Sequence, residues 1–505
     1  MVCLPALFGD GMVLQGGKPL WIWGRADGDQ VRVSIQGHSV LAPVKDGAFQ
    51  AQLPPLDFSG EETLTVTCGE TLTVSHVAVG EVWLAAGQSN MEFQMYFDRG
   101  FGDRSLGEGE VRSFGVPEIA CPEALERFDY ADWGFWRGNT TLEDVKYHSA
   151  VAYYFARRLA RETGHVVGVI LCAWGGTPSV PWIDPVRLRG TAGEWWLDHY
   201  AKATAGAAEE DLKAGYLDNP LSGRGKLFED KISCQLLFGA SREQQQSWMA
   251  QLPPPPENPC PPYQSGPGRL YQTMVKPLAP YSVRGVLWYQ GESDSMKPEL
   301  YGVMLTALIE SWRTLWGEPL PFYVVQLPSF ESWMGADGAG YPQIRQQQEA
   351  VADAMDKVYL VSTMDCGARW NIHPRGKRPV GERLAQLALK ETYGASIQAG
   401  SPRLFHVEAE TGRLALTFTD TVGGLVWREE LEGYQALEVA VNGVPCRDFW
   451  WEAAGERLVI GSPAFQPGNR VRLAFAQKGY DPVNVFNQEG FSLRPFVREL
   501  MIPVK

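Results

Sequence analysis

Several features that would classify a protein at once are missing from this 505-residue sequence. No stretch of about 18 apolar residues is present, so no membrane span is expected. The net charge is −14 and no long basic run occurs, which argues against nucleic acid as a partner. The N-terminal stretch MVCLPALFGDGMVLQ has no basic start, no long apolar core and no obvious cleavage site, so a signal peptide is not expected. Together these absences favour a cytoplasmic location.

Disulfide and metal chemistry also lack their usual patterns. The eight cysteines are scattered, and none forms a CxxC pair. Several lie in apolar runs, where a thiol packs as a small hydrophobic group. This distribution requires no disulfide framework and favours a reducing compartment. No cluster of His, Asp and Glu has the spacing of metal ligands, so no metal ion is expected.

The chain is too long for one hydrophobic core, and its character changes twice along its length. Residues 1–77 carry short alternating runs rich in Val, Thr and Ile, separated by Gly and Asp turns, which predict an N-terminal β domain. Residues 398–505 have similar runs and predict a C-terminal β domain. Residues 78–397 alternate strand-like and helical runs and predict an α/β domain between them.

The central region contains five apolar strand-like runs, namely EVWLAA, VVGVILCAW, RGVLWYQ, PFYVVQL and KVYLVSTM. They are apolar almost throughout, as strands buried on both faces of a parallel sheet are. Helical runs such as SAVAYYFARRLARETG lie between them, so we expect an α/β sandwich with a mostly parallel sheet. Residues from about 190 to 265 interrupt this alternation with a charged, partly helical and finally proline-rich insertion. We interpret it as a surface excursion that can overhang the functional site.

Polar loops follow four of the strand-like runs, and the functional groups of an open α/β sheet gather beyond the carboxyl ends of its strands. These loops contain GQSN (87–90), WGGTPS (174–179), YQGESD (289–294) and NIHP (371–374). Each is weak evidence alone, because a serine after a glycine is most often a turn residue and Gly-Gly usually marks a turn. The occurrence of all four in this order is more specific.

The residue types in these loops suit acyl transfer. A serine hydroxyl such as that of Ser89 becomes a good nucleophile when a base takes its proton. Histidine suits that task because its unperturbed pKa is about 6.5, and His373 lies in one of the four loops. The tetrahedral intermediate needs hydrogen-bond donors, which a backbone N–H near a glycine or the side-chain amide of Gln290 can supply.

The sequence resembles the sialate O-acetylesterase family within the SGNH-type hydrolases over nearly its whole length. The resemblance is carried by GQSNM, AWGGTPSVPW, GVLWYQGESD and NIHPRGK, together with LPALFGDGMVLQ, PLWIWGRADGDQVRVSI and PFYVVQL. It implies an SGNH-hydrolase-like α/β/α sandwich with a mostly parallel sheet, flanked by sandwich-like N- and C-terminal β segments. It also implies a serine carboxylic-ester hydrolase that removes O-acetyl groups from sialic acids or related glycans without a metal or organic cofactor.

The same resemblance implies roles for individual residues. Ser89 is the implied nucleophile and His373 the implied base. The backbone N–H groups of Ser89 and Gly176, with the Gln290 side chain, are the implied oxyanion hole. Glu292 is the implied support of the nucleophile loop. Further supporting or substrate-binding positions are Gln88, Asn90 and Trp174.

One position departs from the family pattern. Many relatives carry Asp two residues before the histidine, and others in the wider class carry it three before, whereas this sequence has Asn371 preceded by a tryptophan. Asn371 can orient the imidazole, although it stabilises imidazolium less well than a carboxylate. A carboxylate from another loop is the alternative, either Glu292, Asp294 or Asp365. We rank Asp365 above Glu292 because it follows the same strand as His373. A Ser–His dyad is the remaining alternative.

We therefore expect a carbohydrate O-acetylesterase that acts on O-acetylated sialic acids or sialoglycans through an acetyl-enzyme. Acetylated plant polysaccharides such as xylan or xyloglucan are the alternative substrates. Sialic acid carries a carboxylate, and Arg345 is a candidate cation for it, with a structural ion pair as an equal alternative. A non-catalytic glycan-binding protein is the alternative from another class, because 18 tryptophans and flanking β segments suit sugar binding. The sequence does not determine the oligomeric state.

Overall fold

The computed structural model of the protein describes residues 1–102, 109–127, 134–218, 235–251, 261–428 and 436–504. Most of the proline-rich end of the predicted insertion lies outside these residues. Within them the chain forms a mixed α/β structure, as predicted, and its largest sheet has 14 strands. In chain order these strands are Val2–Cys3, Val13–Gln15, Leu20–Ala26, Gln30–Ile35, His38–Lys45, Ala48–Leu53, Ser59–Cys68, Glu70–Gly87, Val111–Gly115, Trp136–Arg137, Val167–Ala173, Gly285–Tyr289, Phe322–Val325 and Val358–Val361.

Seven of these strands take part in parallel pairs. Val13–Gln15 pairs in parallel with residues 78–80 of Glu70–Gly87, and the other six build the centre of the molecule. Their order across the sheet is Val111–Gly115, Val167–Ala173, Glu70–Gly87, Gly285–Tyr289, Phe322–Val325 and Val358–Val361. The last five contain the five runs predicted as parallel strands. Val111–Gly115 is not predicted by the sequence pattern, because only Val111 and Phe114 of this strand are buried and it lacks a continuous apolar run.

Four long helices pack in two pairs next to the parallel strands. Ala150–Thr163 contacts Arg378–Glu391, and Tyr301–Trp316 contacts Tyr341–Ala354. Ser149 caps the first of these helices by accepting a hydrogen bond from a backbone N–H in its first turn. The shorter α-helices of the described residues are Ser89–Glu92, Ala124–Arg127, Leu142–Val145, Glu194–Ala203, Glu209–Asp218 and Arg242–Met249.

The strand Glu70–Gly87 joins the N-terminal region to the central sheet. Its first part pairs antiparallel with Ser59–Cys68, and its second part pairs in parallel with Val167–Ala173 and Gly285–Tyr289. The boundary predicted between residues 77 and 78 therefore falls inside one continuous strand. The N-terminal strands and the parallel strands also share a single apolar core.

The C-terminal region has an apolar core of its own, built almost entirely from residues 414–502. Its strands pair antiparallel. They are Arg403–Glu410, Arg413–Thr419, Val426–Trp427, Leu437–Val441, Val444–Cys446, Trp450–Ala454, Arg457–Gly461, Arg470–Phe475, Val485–Phe486 and Phe496–Met501.

The carboxyl ends of the parallel strands meet at one edge of the sheet, which is where an α/β protein gathers its functional loops. Gly87 ends the central strand there with a φ of 140°. A Cβ at this position would lie 2.1 Å from the carbonyl oxygen of Tyr289, so only glycine permits this close approach. The loop that begins with Gln88 is thereby held against the neighbouring strand.

Candidate active site

Ser89 and His373 lie next to each other at this edge of the sheet. Ser89 is the first residue of the short helix Ser89–Glu92, which begins directly after Gln88. His373 lies in the loop that follows the strand Val358–Val361. The Oγ atom of Ser89 is 2.8 Å from Nε2 of His373, which is a hydrogen-bond distance. The structure therefore brings the predicted nucleophile and the predicted base within reach of proton transfer.

Two aromatic side chains pack against the His373 ring. The Phe93 ring lies roughly parallel to it, with 6.5 Å between ring centres, and Trp333 meets it edge-on at 5.1 Å. Trp333 belongs to a hairpin formed by Ser332–Trp333 and Ala336–Asp337. Neither aromatic residue is predicted by the sequence. Phe93 directly follows the GQSNME motif, which is a usable signal, whereas Trp333 lies in no recognisable motif.

Asn371 orients the histidine loop through the backbone. Its side-chain oxygen accepts a hydrogen bond from the backbone N–H of His373 at 2.9 Å. Such a contact to the residue two positions further on is an Asx turn, which fixes the local chain direction. The orienting role predicted for Asn371 is thus exerted on the peptide that carries the imidazole.

Asp365, predicted as a substitute acid, binds another side chain. Its two carboxylate oxygens accept hydrogen bonds from the Arg383 guanidinium at 2.8 and 2.7 Å. Burial is the largest single influence on the pKa of Asp365 and acts to raise it, but the Arg383 charge and the hydrogen bonds to the carboxylate together outweigh burial and lower that pKa. The pair fastens the loop after Val358–Val361 to the helix Arg378–Glu391. This pairing argues against Asp365 as the third catalytic residue, because the carboxylate would have to leave Arg383 to reach the imidazole.

A buried network connects the nucleophile loop with two other loops through Asn90. The side-chain amide of Asn90 donates to Oε1 of Glu292 at 2.5 Å and to the carbonyl of Ile372 at 2.9 Å. Its oxygen accepts a hydrogen bond from the Lys377 ammonium at 2.5 Å. Asn90 directly follows the predicted nucleophile, and Ile372 directly precedes the predicted base. One side chain therefore links the loops that carry the predicted nucleophile and the predicted base.

Burial perturbs both charged groups of this network. It raises the pKa of Glu292, and it lowers the pKa of Lys377 to about 7, although the Glu292 carboxylate opposes the second shift. Glu292 contacts the nucleophile loop through Asn90, in the position expected of a supporting residue. Lys377 is missing from the predicted site, although its place in the motif NIHPRGK, four residues after the histidine, is a sequence signal for it.

Two buried side chains fix the neighbouring loops to the nucleophile helix. Gln88 accepts hydrogen bonds from backbone N–H groups of the loop 291–293 at 3.5 and 3.3 Å. Glu92 accepts one from the backbone N–H of Gly175 at 2.8 Å. The next residue, Gly176, lies in an exposed turn with a φ of 73°. Its backbone N–H is thus close in sequence to an anchored position, and its use in an oxyanion hole stays a prediction.

The Gln290 side chain, which is predicted as an oxyanion donor, has its hydrogen-bond partners within the protein. Its amide nitrogen donates to Oδ2 of Asp294 at 2.5 Å and to the carbonyl of Thr177 at 3.3 Å, which uses both amide hydrogens. Burial raises the pKa of Asp294 to about 6, and this carboxylate also accepts hydrogen bonds from Ser179 at 2.6 and 2.9 Å. Gln290 therefore joins two loops, and in this arrangement both of its amide hydrogens are engaged within the protein.

Trp174 and Arg345, both predicted near the substrate, are structural residues. Trp174 is buried, and its backbone N–H donates to the carbonyl of Gly87 at 3.1 Å. Arg345 is 0% exposed, and its guanidinium donates to backbone carbonyls at residues 327–328 and 478–479 over 2.7 to 3.0 Å. Burial lowers the pKa of Arg345 to about 10. A substrate carboxylate has no access to this guanidinium, which instead ties the core to the C-terminal region.

The predicted insertion borders the site on two sides. Its helix Glu194–Ala203 lines a cavity of about 830 Å³ that also reaches Gly176. On the other side, Gln245 of the helix Arg242–Met249 donates to the carbonyl of Trp370 in the histidine loop at 3.0 Å. The described parts of the insertion thus pack against the loops that carry the predicted catalytic residues.

Metal binding and membrane insertion would each require a recognisable feature in the described residues. There, no group of three His, Cys, Asp or Glu side chains is arranged to hold a metal ion. The helices of the same part of the chain are all too short or too polar to span a bilayer. The buried carboxylates near the site bind protein donors, as Glu292 binds Asn90.

Comparison with known proteins gives this geometry a family context. A family model described as "Carbohydrate esterase, sialic acid-specific acetylesterase" matches residues 244–390. The matched range includes His373 and begins after Ser89 in the chain. Sialate O-acetylesterases from Rattus norvegicus and Homo sapiens are each 28% identical to the chain, over 77% and 76% of its length and 71% and 67% of their own. A carbohydrate acetylesterase from Xanthomonas citri, of known structure, is 25% identical, covers 99% of both chains and has a TM-score of 0.75. The similarity therefore includes the flanking β regions as well as the core.

Proposed function

Because the chain is a carbohydrate O-acetylesterase related to the sialate O-acetylesterases, as its motifs predict, we propose that it removes acetyl groups from sialic acids by a Ser–His mechanism. The observation that carries this proposal is the 2.8 Å contact between Ser89 Oγ and His373 Nε2. We also infer that the core is an SGNH-type α/β/α sandwich. Four loops that follow different parallel strands carry Ser89, Gly176, Gln290 and His373 in this chain order, and this placement supports that assignment.

In the first half of the reaction, Oγ of Ser89 attacks the acetyl carbonyl while Nε2 of His373 takes the hydroxyl proton. Backbone N–H groups of Ser89 and Gly176 stabilise the resulting oxyanion. The bond between the acetyl carbon and the sugar oxygen then breaks. The His373 imidazolium gives its proton to that oxygen, so the sugar leaves as a neutral alcohol and the acetyl group stays on Ser89.

In the second half, a water molecule attacks the acetyl-enzyme while His373 takes one of its protons. The second oxyanion collapses, Oγ of Ser89 leaves the acetyl carbon, and His373 returns the proton to Oγ. Acetic acid departs and ionises in solution, and the enzyme regains its initial state. The departing sugar oxygen must lie beside Nε2 of His373 in this scheme, so the sugar occupies the side of the site formed by the histidine loop.

Acetylated neutral polysaccharides such as xylan are the second candidate substrates. The Xanthomonas citri relative is described as a carbohydrate acetylesterase and its description specifies no sugar, so similarity to it is compatible with substrates other than sialic acid. The identity of the sugar therefore has to be determined by comparing the hydrolysis of different acetylated sugars.

Acetate release tests the proposal. The protein is incubated with 9-O-acetyl-N-acetylneuraminic acid, with acetylated xylan oligosaccharides and with an aryl acetate, and we expect the highest kcat/KM on the sialic acid ester. Ser89→Ala should lower kcat by roughly 10³-fold or more on every ester. Ser39→Ala, at an exposed serine of the N-terminal sheet, is the matched control. Near-wild-type turnover by Ser89→Ala would exclude the mechanism, and faster hydrolysis of xylan acetates would favour the second candidate.

A further inference from the structure

A cleft rich in arginine lies against the loop that carries His373, and its volume is about 620 Å³. The residues that line it include Arg99, Arg242, Arg369, Asn371, Pro374 and Arg375. We refer to it as the arginine cleft. The protein has a net charge of −14, so four guanidinium groups around one cleft are a pronounced local reversal of charge. Such a reversal attracts anions and concentrates them near the site.

Two of the four arginines have no hydrogen bond or ion pair from their guanidinium group to any of the described residues. Arg99 is exposed. Arg242 is also exposed, and its guanidinium carbon lies 4.1 Å from the centre of the Trp370 ring. A guanidinium group that stacks on an aromatic ring keeps its N–H donors available for a ligand that lies in the plane of the guanidinium group.

The other charged groups of the arginine cleft are held by the protein. Arg375 donates to the backbone carbonyls of Phe97 and Phe238 at 2.8 and 3.3 Å, contacts that position its guanidinium without neutralising it. Arg369 pairs with Glu331 at 2.5 Å. Asp365, a carboxylate that also lines the cleft, is balanced by an arginine outside the cleft lining. The cleft therefore keeps a positive charge from Arg99, Arg242 and Arg375, and the first two have the N–H donors that are free of protein acceptors among the described residues.

The arginine cleft borders the histidine loop, beside which the departing sugar lies in the proposed reaction. Asn371 and Pro374, on either side of His373 in the chain, line the cleft, whereas Ser89 and His373 are not among its lining residues. The cleft is therefore next to the predicted reacting atoms and does not contain them. Arg345, which the sequence offers as one candidate cation for the substrate carboxylate, is buried and does not reach the substrate. The cleft places other cations beside the histidine loop.

We propose that the arginine cleft binds the carboxylate of an acidic sugar, either the sialic acid that carries the acetyl ester or a uronic acid next to the acetylated sugar. Arginine suits this ligand because its planar fork of N–H donors matches the two oxygens of a carboxylate. The proposal rests on the proposed function, because it uses the position of the departing sugar. It makes Arg99 and Arg242 specificity-determining residues, which favour acidic over neutral acetylated glycans.

The test compares acidic and neutral esters in variants of the arginine cleft. kcat/KM is measured for 9-O-acetyl-N-acetylneuraminic acid and for acetylated xylotriose with the wild type, Arg99→Ala, Arg242→Ala and the double variant. We expect the ratio of the two values to fall by about 10-fold for one arginine and further for both, mainly through KM, as expected for charge-assisted hydrogen bonds. Arg242→Lys should keep part of the preference, and salt should weaken it in the wild type. Arg189→Ala, at an exposed arginine outside the cleft, should keep the wild-type ratio.

An unchanged ratio in the double variant would overturn the cleft proposal while hydrolysis continued to support the proposed function. If the wild type hydrolyses no ester at all, the proposed function fails, and direct binding still tests the cleft. N-acetylneuraminic acid, glucuronic acid and xylose are then titrated into the wild type and the double variant by calorimetry. Binding of either acid that is lost in the double variant supports the carboxylate site, and the tighter acid identifies the sugar. No binding, or equal binding of xylose, overturns it.

Discussion

Replacing Lys377 by methionine would remove a buried charge from the network that supports the nucleophile loop. The residue is 1% exposed, and its ammonium donates to the side-chain oxygen of Asn90 at 2.5 Å. The ammonium nitrogen also lies 4.9 and 5.5 Å from the ring centres of Phe93 and Tyr289. Methionine has a similar length and no charge, so Lys377→Met tests the electrostatic contribution while keeping most of the packing.

The expected magnitude follows from the pKa of Lys377, which burial lowers from 10.5 to about 7. One pKa unit corresponds to about 1.4 kcal/mol, so the protonated lysine destabilises the folded state by about 5 kcal/mol below pH 7. Between pH 7 and 10.5 the folded protein has released a proton that the unfolded chain still holds. The free energy of unfolding therefore rises with pH in this window, by about 2–3 kcal/mol from pH 7 to 9.

Denaturant unfolding of the wild type and Lys377→Met, at several values between about pH 6 and pH 9, measures this contribution. The difference between the two free energies of unfolding should change by about 2–3 kcal/mol across the upper part of that range. Loss of the donor to Asn90 adds an offset that does not depend on pH. Lys45→Met, at an exposed lysine, is the control, and parallel curves for the wild type and Lys377→Met would refute the reasoning.

Two further variants test local contacts. Asn371→Ala should lower kcat by about 5- to 10-fold, because the backbone N–H of His373 loses its acceptor. Asn371→Asp keeps the acceptor, so its kcat should stay within about 3-fold of the wild type. Both values are measured by steady-state kinetics, and a defect near 10⁴-fold would show that Asn371 acts as a full triad member. Burial lowers the pKa of His148 from 6.5 to about 4, so the wild type should lose about 3 kcal/mol of stability as pH falls through that interval. His148→Gln should remove this acid-dependent loss in unfolding measurements, and an unchanged pH dependence would contradict it.

The parallel strands could be predicted because burial on both faces imposes a local pattern. Val167–Ala173, for example, is buried at every residue. Val111–Gly115 escapes prediction because it is only partly buried. The predicted boundary at residue 77 has a related cause, since the strand Glu70–Gly87 becomes continuously buried from Val77 onward. The change from alternating to continuous apolar residues at this point marks a change in burial along one strand. It does not mark the end of the strand.

The proximity of Ser89 and His373 could be predicted, but the partners of the polar side chains could not. Ser89 and His373 lie in short motifs with local signatures. The acceptors of Arg345 lie up to 134 residues away in the chain, and Lys377 and Asn90 are separated by 287 residues. No local pattern encodes such contacts, because they depend on which loops the sheet brings together.

The carboxylates that the sequence offers as a third catalytic residue all have other partners. These partners are Arg383 for Asp365, Gln290 for Asp294 and Asn90 for Glu292. Turning one of these carboxylates towards His373 would leave a buried donor without its acceptor, which costs about 1–3 kcal/mol and more for a guanidinium. A new hydrogen bond to the imidazole contributes about as much, so the movement brings no net stabilisation. The contact of Asn371 with the backbone N–H of His373 and the rings of Phe93 and Trp333 help to hold the imidazole in place. Whether alignment by these contacts matters more than a negative charge stays a prediction, and the Asn371 variants test it.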